Sequence, residues 1–241
     1  GGAERQLTLL AAAQRRRGHD VHVGVLRGGA NETRLAEAGV PVHRLRARGH
    51  HDPLLALSAL RLARRLRPDV VQTWLPLMDV TGAVVTRLAG TPWVLTERSS
   101  LAAYSRLKDR ALRLPLGRFA DAVVANSEAG ADMWRRQTGR PARIVRNVVP
   151  ADEIGRVAPA SRSELTLPED AKVVLFVGRL SAEKSIELLL AALTRVVSEQ
   201  RVYALVCGSG PLLPLVESAV EATGGRIRYL GERDDPWRLM K

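Results

Sequence analysis

The sequence predicts an α/β protein built from parallel sheets with helices on both faces, divided over two domains. Three observations predict it. Apolar strand-like runs alternate with helical patterns along the whole chain, without any other internal repeat. The run 173–177, V-V-L-F-V, is unbroken and rich in β-branched residues, which is how a strand buried on both faces of a parallel sheet reads. Gly178 ends it, and Ile186, Leu189, Leu190 and Leu193 then recur at helical spacing.

In chain order, Gly1 and Gly2 open into a helix through Leu7, Leu10 and Ala11 that ends near Gly18. Strands follow at 21–26 and 40–45, separated by a helix at 32–38 that Gly39 ends. The adjacent His50 and His51 lie in a loop without metal-ligand spacing around them. Pro53 starts a helix with Leu54, Leu57, Leu60 and Ala63 on one face and Arg61, Arg64 and Arg65 interleaved, and Pro68 breaks it. A strand at 70–73, a helix at 79–88 and a strand at 93–96 come next, the last ending in Glu97, Arg98, Ser99 and Ser100. An amphipathic helix is predicted at 101–114, stopped by Pro115, with Arg106, Lys108, Arg110 and Arg113 mostly off its apolar face. A strand at 121–125 leads to Ser127 at a helix start. Residues 150–170 read as a linker, rich in Ala, Pro, Ser and charge. Beyond the run 173–177 and its helix, a strand at 202–206 turns through Gly208, Ser209, Gly210 and Pro211 into another helix. A strand at 226–230 ends in Gly231, Glu232, Arg233 and Asp234.

Composition narrows the function. Residues 1–150 carry 25 Lys and Arg against 12 Asp and Glu, whereas 151–241 carry 12 against 13. Either the first part faces something anionic, a membrane surface or a phosphate-bearing acceptor, or the chain is simply Arg-biased, since 33 of its 37 basic residues are arginine. Nucleic acid is disfavoured, because aromatics make up only 4% and no nucleic-acid-binding motif is present. The single cysteine, Cys207, allows no internal disulfide and fits a reducing compartment, so a cytoplasmic location is expected. No apolar run approaches 18 residues.

Arg179 and Lys184 lie between strand and helix, at the carboxyl edge of a parallel sheet where open α/β sheets bind ligands. A cation beside a helix start is disfavoured by about 0.3–1 kcal/mol. An anion held by both side chains and the helix amides reverses that sign. The competing reading is that Glu183 and Glu187 merely neutralise Lys184.

The string G-R-L-x-x-E-K at 178–184, followed by an apolar helix, resembles the donor-site motif of family-four retaining glycosyltransferases of GT-B fold. The resemblance implies two Rossmann-like domains, 1–149 for the acceptor and 150–241 for a nucleotide-sugar, UDP- or GDP-linked. It implies that Arg179 and Lys184 stabilise the leaving diphosphate, that no metal cofactor is needed, and that a sugar or lipid-linked acceptor is modified with retention. Gly178, Gly208, Gly210 and Arg233 fall at matching donor-side positions, and Gly1-Gly2-Ala3-Glu4 resembles the family's G-G-x-E motif, which implies that Gly1 and Gly2 bind the donor as well. Arg98 stands where the family often has a histidine, which suggests contact with an acidic or phosphorylated acceptor group, and Ser127 matches a serine of the acceptor side. Ser185 replaces the usual glycine after the lysine and is expected to act as an N-cap. The first strand and a downstream glutamate pair of the family pattern are missing, so truncation at both ends, an exposed apolar sheet edge and little activity in isolation are expected. The basic helix at 101–114 either lies on anionic lipid at the inner face of the plasma membrane or packs on the sheet. Two other classes remain: a nicotinamide-dependent oxidoreductase, against which the third glycine of G-x-G-x-x-G is missing after Gly210, and a non-catalytic nucleotide-binding fragment.

Overall fold

The structure is a computed structural model and describes residues 2–29, 31–49, 52–98 and 107–241. The chain divides into two units, Gly1–Val149 and Pro150–Lys241. All strand pairings within them are parallel. The fold class predicted from strand–helix alternation is therefore observed.

The first unit contains α1 (Gly2–Arg16), β1 (Val23–Val25), α2 (Asn31–Glu37), β2 (Val42–Arg44), α3 (Pro53–Leu66) and β3 (Val71–Trp74). It continues through α4 (Pro76–Ala89), β4 (Trp93–Glu97), α5 (Leu107–Gly117), β5 (Ala122–Ala125), α6 (Glu128–Thr138) and β6 (Arg143–Ile144). Strands β1 and β2 form one sheet, and β3-β4-β5-β6 form another in that order. Local chemistry sets the helix ends. The Asp52 carboxylate accepts from the Leu54 amide at 2.9 Å and Pro53 takes the first helical position of α3. Gly90 and Gly139 close α4 and α6 in the left-handed conformation. Trp93, Leu95, Val123, Met133 and Trp134 form the core between the larger sheet and its helices.

One expectation fails here. Pro115 does not stop α5, which runs on to Gly117. Proline lacks only its own amide and clashes one turn back, so a helix about to end tolerates it when Leu114 and Leu116 still pack on the core. The predicted start of this helix at 101–106 lies outside the described residues, as do His50, His51, Ser99 and Ser100.

Beside β1 and β2 a polar chain links Asp20, His22, His43 and Arg65. Arg65 Nη2 lies 3.2 Å from His43 Nδ1, His43 Nε2 lies 2.9 Å from His22 Nδ1, and His22 Nε2 lies 3.4 Å from Asp20. Arg65 has only protons to offer, so His43 accepts at Nδ1 and donates from Nε2. Burial, then the charges of His22 and Arg65, lower the His43 pKa. A base whose folded pKa is depressed leaves stability untouched well above its unfolded value and removes it as pH falls through that value. Denaturation midpoints of the first unit should thus begin to fall below about pH 6.5. His43→Asn should flatten that slope in urea titrations between pH 7.5 and 5; an unchanged slope would exclude this imidazole as its source.

The second unit contains α7 (Ala151–Arg156), β7 (Lys172–Val177), α8 (Ile186–Glu199), β8 (Val202–Cys207), α9 (Leu213–Ala222), β9 (Ile227–Tyr229) and α10 (Pro236–Leu239). Its sheet has the order β7-β8-β9. Leu180, Ile186, Leu190, Leu193, Val206, Val216 and Ile227 make its core. The stretch 150–170 is not a loose linker. It carries α7, and Arg228 Nη1 donates to the Leu165 and Thr166 carbonyls at 2.6 and 2.8 Å. Arg238 grips Glu164 through both carboxylate oxygens at 2.9 and 3.0 Å.

The run 173–177 is a strand, but it is not buried on both faces. β7 lies at the sheet edge, and Val173, Val174 and Val177 are 36–41% exposed. An apolar run reports how a strand is suited to be covered, whereas its coverage depends on neighbours that the run does not encode.

Candidate functional site

In the second unit three loops meet at the carboxyl ends of β7, β8 and β9. The Gly178 amide donates to the Cys207 carbonyl at 2.9 Å, the Leu180 amide to Ser209 at 2.9 Å, and the Gly208 amide to Gly231 at 2.8 Å. Tyr229 Oη donates to the Gly208 carbonyl at 2.9 Å. Gly208 and Gly210 have φ of +140° and +157°, and a Cβ at either would overlap the carbonyl of Gly178 or Leu180. The first reason for glycine here is thus the close seating of one loop on its neighbour.

This backbone platform carries Arg179 and Lys184. Both are exposed, and among the described residues neither side chain has an ion pair or a hydrogen-bonded partner. Neither Glu183 nor Glu187 forms a salt bridge with Lys184 among the described residues. Ala182–Lys184 forms a short 3-10 turn that leads into α8, whose N-terminus adds its own positive potential. Arg233 differs. Its Nε and Nη2 both reach Asp235 at 2.7 Å, a bidentate pair that raises the Arg233 pKa and lowers that of Asp235. Ser209 Oγ donates to Glu232 at 2.8 Å.

Ser185 departs from its expected role. It has φ 51° and ψ 44°, in the left-handed region, and its side chain makes no capping bond. The position calls for glycine because a Cβ there crowds the following carbonyl, at roughly 1–2 kcal/mol. Glycine also loses more chain entropy on folding, which offsets part of that gain. Ser185→Gly should therefore stabilise the second unit by about 0.5–1 kcal/mol, a rise of a few degrees in its Tm. A calorimetric Tm that falls instead would show that the serine hydroxyl contributes something the backbone does not.

In the first unit, Gly2 is the first residue of α1 with open space at its Cα, and Gly1 lies outside the described residues. Ser127 caps α6, its Oγ accepting from the Gly130 amide at 3.2 Å. Arg98, just past the carboxyl end of β4, lays its guanidinium over the Trp74 ring at 4.2 Å and donates from Nη1 to Asn147 Oδ1 at 2.7 Å. Burial lowers its pKa.

Beneath this edge lies a buried network that the sequence reading missed. Arg113 donates from Nε to Asp79 and from Nη1 to Glu97, both at 2.6 Å. Trp134 Nε1 donates to Glu97 at 2.9 Å, Thr73 Oγ1 to Asp79 at 2.5 Å, and Trp93 Nε1 to Thr73 at 2.9 Å. The side chains of Arg113, Asp79 and Glu97 are at most 2% exposed. Burial pushes the Asp79 carboxyl up to about 6, against the opposing pull of Arg113 and Thr73. Arg113 therefore faces the core, which corrects its grouping with the cations read as off the apolar face of the predicted helix 101–114. The one available signal was an acidic residue standing inside each of two apolar stretches, Asp79 in L-M-D-V and Glu97 in V-L-T-E.

Among the described residues no group of three or more His, Cys, Asp or Glu is arranged to hold a metal ion. No helix among them is long and apolar enough to cross a membrane.

Comparison with known proteins gives these loops a context. Residues 1–150 match the glycosyl transferase 4-like domain, and residues 157–241 match glycosyl transferases group 1. The lipopolysaccharide core biosynthesis glycosyltransferase LpsE of Rhizobium meliloti strain 1021 is 28% identical over 98% of this chain and 65% of its own length. The alpha-D-kanosaminyltransferase of Streptomyces kanamyceticus is 27% identical over 71% of this chain and 50% of its own. The chain thus spans between half and two thirds of these relatives. The crystal structure of Anabaena HepE with UDP-glucose superposes with a TM-score of 0.81 at 25% identity, over all of this chain and 68% of that one. The lipopolysaccharide outer core galactosyltransferase WaaB, at 17% identity and a TM-score of 0.64, shares the fold. The fold is accordingly GT-B, and the nicotinamide-dependent alternative falls away. With the family's description matching more than half of its length, the chain belongs to the glycosyl transferase 4-like family.

Proposed function

We propose that this protein transfers a sugar from a nucleotide-sugar to an acceptor hydroxyl in polysaccharide or glycolipid synthesis, with retention of configuration. One observation carries the reading: Arg179 and Lys184 stand exposed and unpaired on the loop platform at the carboxyl edge of the second unit's sheet. Two uncompensated cations at a helix start are suited to a diphosphate, whose charge grows at the leaving oxygen as the glycosidic bond breaks. Gly178, Gly208 and Gly210 hold the loops at that position, and Arg233 with Asp235 borders them. The donor is UDP- or GDP-linked; UDP is supported by the UDP-glucose complex of HepE. Arg98 and Ser127 belong to the acceptor side. The fixed cations serve in place of a divalent ion, so EDTA should leave turnover unchanged. Thermal-shift titration with UDP, GDP and NAD tests the assignment. A nucleoside diphosphate should raise the Tm of the second unit while NAD does not, and stabilisation by NAD alone would overturn it.

We further propose that the protein works in the cytoplasm against the inner face of the plasma membrane, supported by the net +13 of residues 1–150. Binding to anionic vesicles should be salt-sensitive and should weaken when Arg106, Lys108 and Arg110 are changed to glutamine with Arg113 kept. Each cation near such a surface is worth about 1 kcal/mol, so the three together should be plainly visible. Equal binding to neutral and anionic vesicles would sink this placement.

A further inference from the structure

We infer that Arg98, seated on Trp74 and braced by Asn147, is an oxyanion receptor, and that the acceptor carries an ionised phosphate or carboxylate near its reacting hydroxyl. The second clause rests on the glycosyl-transfer reading, whereas the first stands without it.

The argument begins with uncompensated charge. Arg98 is partly buried and lies against the indole of Trp74, itself only 8% exposed. Among the described residues no carboxylate pairs with it. The nearest in sequence, Glu97, turns into the core, where Arg113 at 2.6 Å and Trp134 at 2.9 Å hold it. Asp79 is held by the same Arg113, and Glu128 is paired with Arg146 at 3.1 Å. A cation withdrawn from water without a counter-charge is costly, and such cations are found paired.

The second observation is the pattern of donors. Nη1 is used by Asn147, and Nε is buried and has no acceptor among the described residues. Nε and Nη2 form the edge of guanidinium that matches two oxygens of a carboxylate or phosphate. The bond to Asn147 and the stacking on Trp74 hold the plane, so Nη2, neither buried nor bonded among the described residues, is the donor open to an oxyanion and has little rotamer freedom left to lose, with Nε out of water behind it.

The third is backbone strain beside it. Leu75, next to Trp74, has φ 75° and ψ 148°, a region nearly reserved for glycine, yet its side chain is 43% exposed. Strained non-glycine residues of this kind gather at ligand sites. Here the strain turns the chain from β3 into α4 directly beside the guanidinium, and the Leu75 carbonyl accepts from the Asp79 amide at 3.0 Å.

The test uses methyl phosphate and acetate as probes, titrated calorimetrically into the protein and into an Arg179→Ala/Lys184→Ala variant that silences the donor side. Saturable methyl phosphate or acetate binding should survive in the double variant, and whichever binds more tightly names the oxyanion. Arg98→Gln added to that background should weaken it at least tenfold, and Arg98→Lys should fall between, since it keeps the charge without the fork. Trp74→Leu should weaken it less than Arg98→Gln. No saturable binding in the double variant, or binding indifferent to Arg98→Gln, overturns the inference; a lowered Tm for Arg98→Gln with the titration unmoved would make Arg98 a brace for the Asn147 segment only. UDP binding by the unmodified protein is read in parallel, so that loss of the donor assignment and loss of this one are told apart.

Discussion

On the glycosyl-transfer reading, Lys184→Ala in the full-length protein should lower turnover ten- to a hundredfold while leaving the denaturation midpoint of the second unit in place. The expectation follows from where the charge stands. Lys184 is exposed and its ammonium makes no ion pair or hydrogen bond among the described residues, so truncating the side chain breaks no such contact, and alanine keeps the amide bond to the Ser181 carbonyl. Against a diphosphate, a charge-assisted hydrogen bond is worth roughly 1.5–3 kcal/mol, and about 1.4 kcal/mol is tenfold in rate. Arg179→Ala should behave alike. Because part of each contact is made before the bond breaks, affinity for the nucleotide falls as well, by a smaller factor. Lys184→Arg restores the charge with different geometry and should recover part of the loss. The deciding measurement is kinetics and nucleotide affinity beside a denaturation curve. If Lys184→Ala keeps full turnover and full affinity, this lysine is a solvated helix-start residue and the donor site drawn around it is wrong.

Arg113→Met unfolds or nearly unfolds the first unit. The guanidinium lies between two carboxylates that are both out of water, and removing it leaves them buried side by side without their cation. Breaking a buried ion pair from one side costs roughly 3–5 kcal/mol, a large share of the 5–15 kcal/mol that holds a domain together. Asp79→Asn is the informative control. With its pKa pushed up to about 6, Asp79 is only modestly committed to the charged state at neutral pH, and an amide at that position still offers an oxygen to Arg113. It should therefore cost clearly less than Arg113→Met in urea denaturation. Equal losses would mean that volume, not charge, holds this part of the core. The sign of the pH effect is also set. Asp79 titrates higher when folded than unfolded, so its ionisation weakens the fold as pH rises from about 4 to about 6. His43 acts in the opposite sense as pH falls below about 6.5, and the two single variants separate them.

By itself the sequence determined what depends on local order along the chain. Strand–helix alternation names the parallel α/β class because a parallel crossover requires a helix between its strands. Signals such as Gly39, Pro53 and Ser127 mark the helix ends because each acts on backbone within a turn of itself. The spacing from Gly178 to Lys184 was legible for the same reason, since its residues share one strand-to-helix loop. Tertiary structure alone decided what depends on partners far apart in sequence. Arg113 reads as one more basic residue on an amphipathic helix until Asp79 and Glu97, 34 and 16 residues away, are brought against it. The apolar run of β7 implies cover that an edge position does not supply. Ser185 looks like an N-cap from its residue type, yet the torsion that denies it that role is imposed by the 3-10 turn before it. Burial, net charge and backbone torsion are properties of a residue's surroundings, and those surroundings exist only once distant segments have packed together.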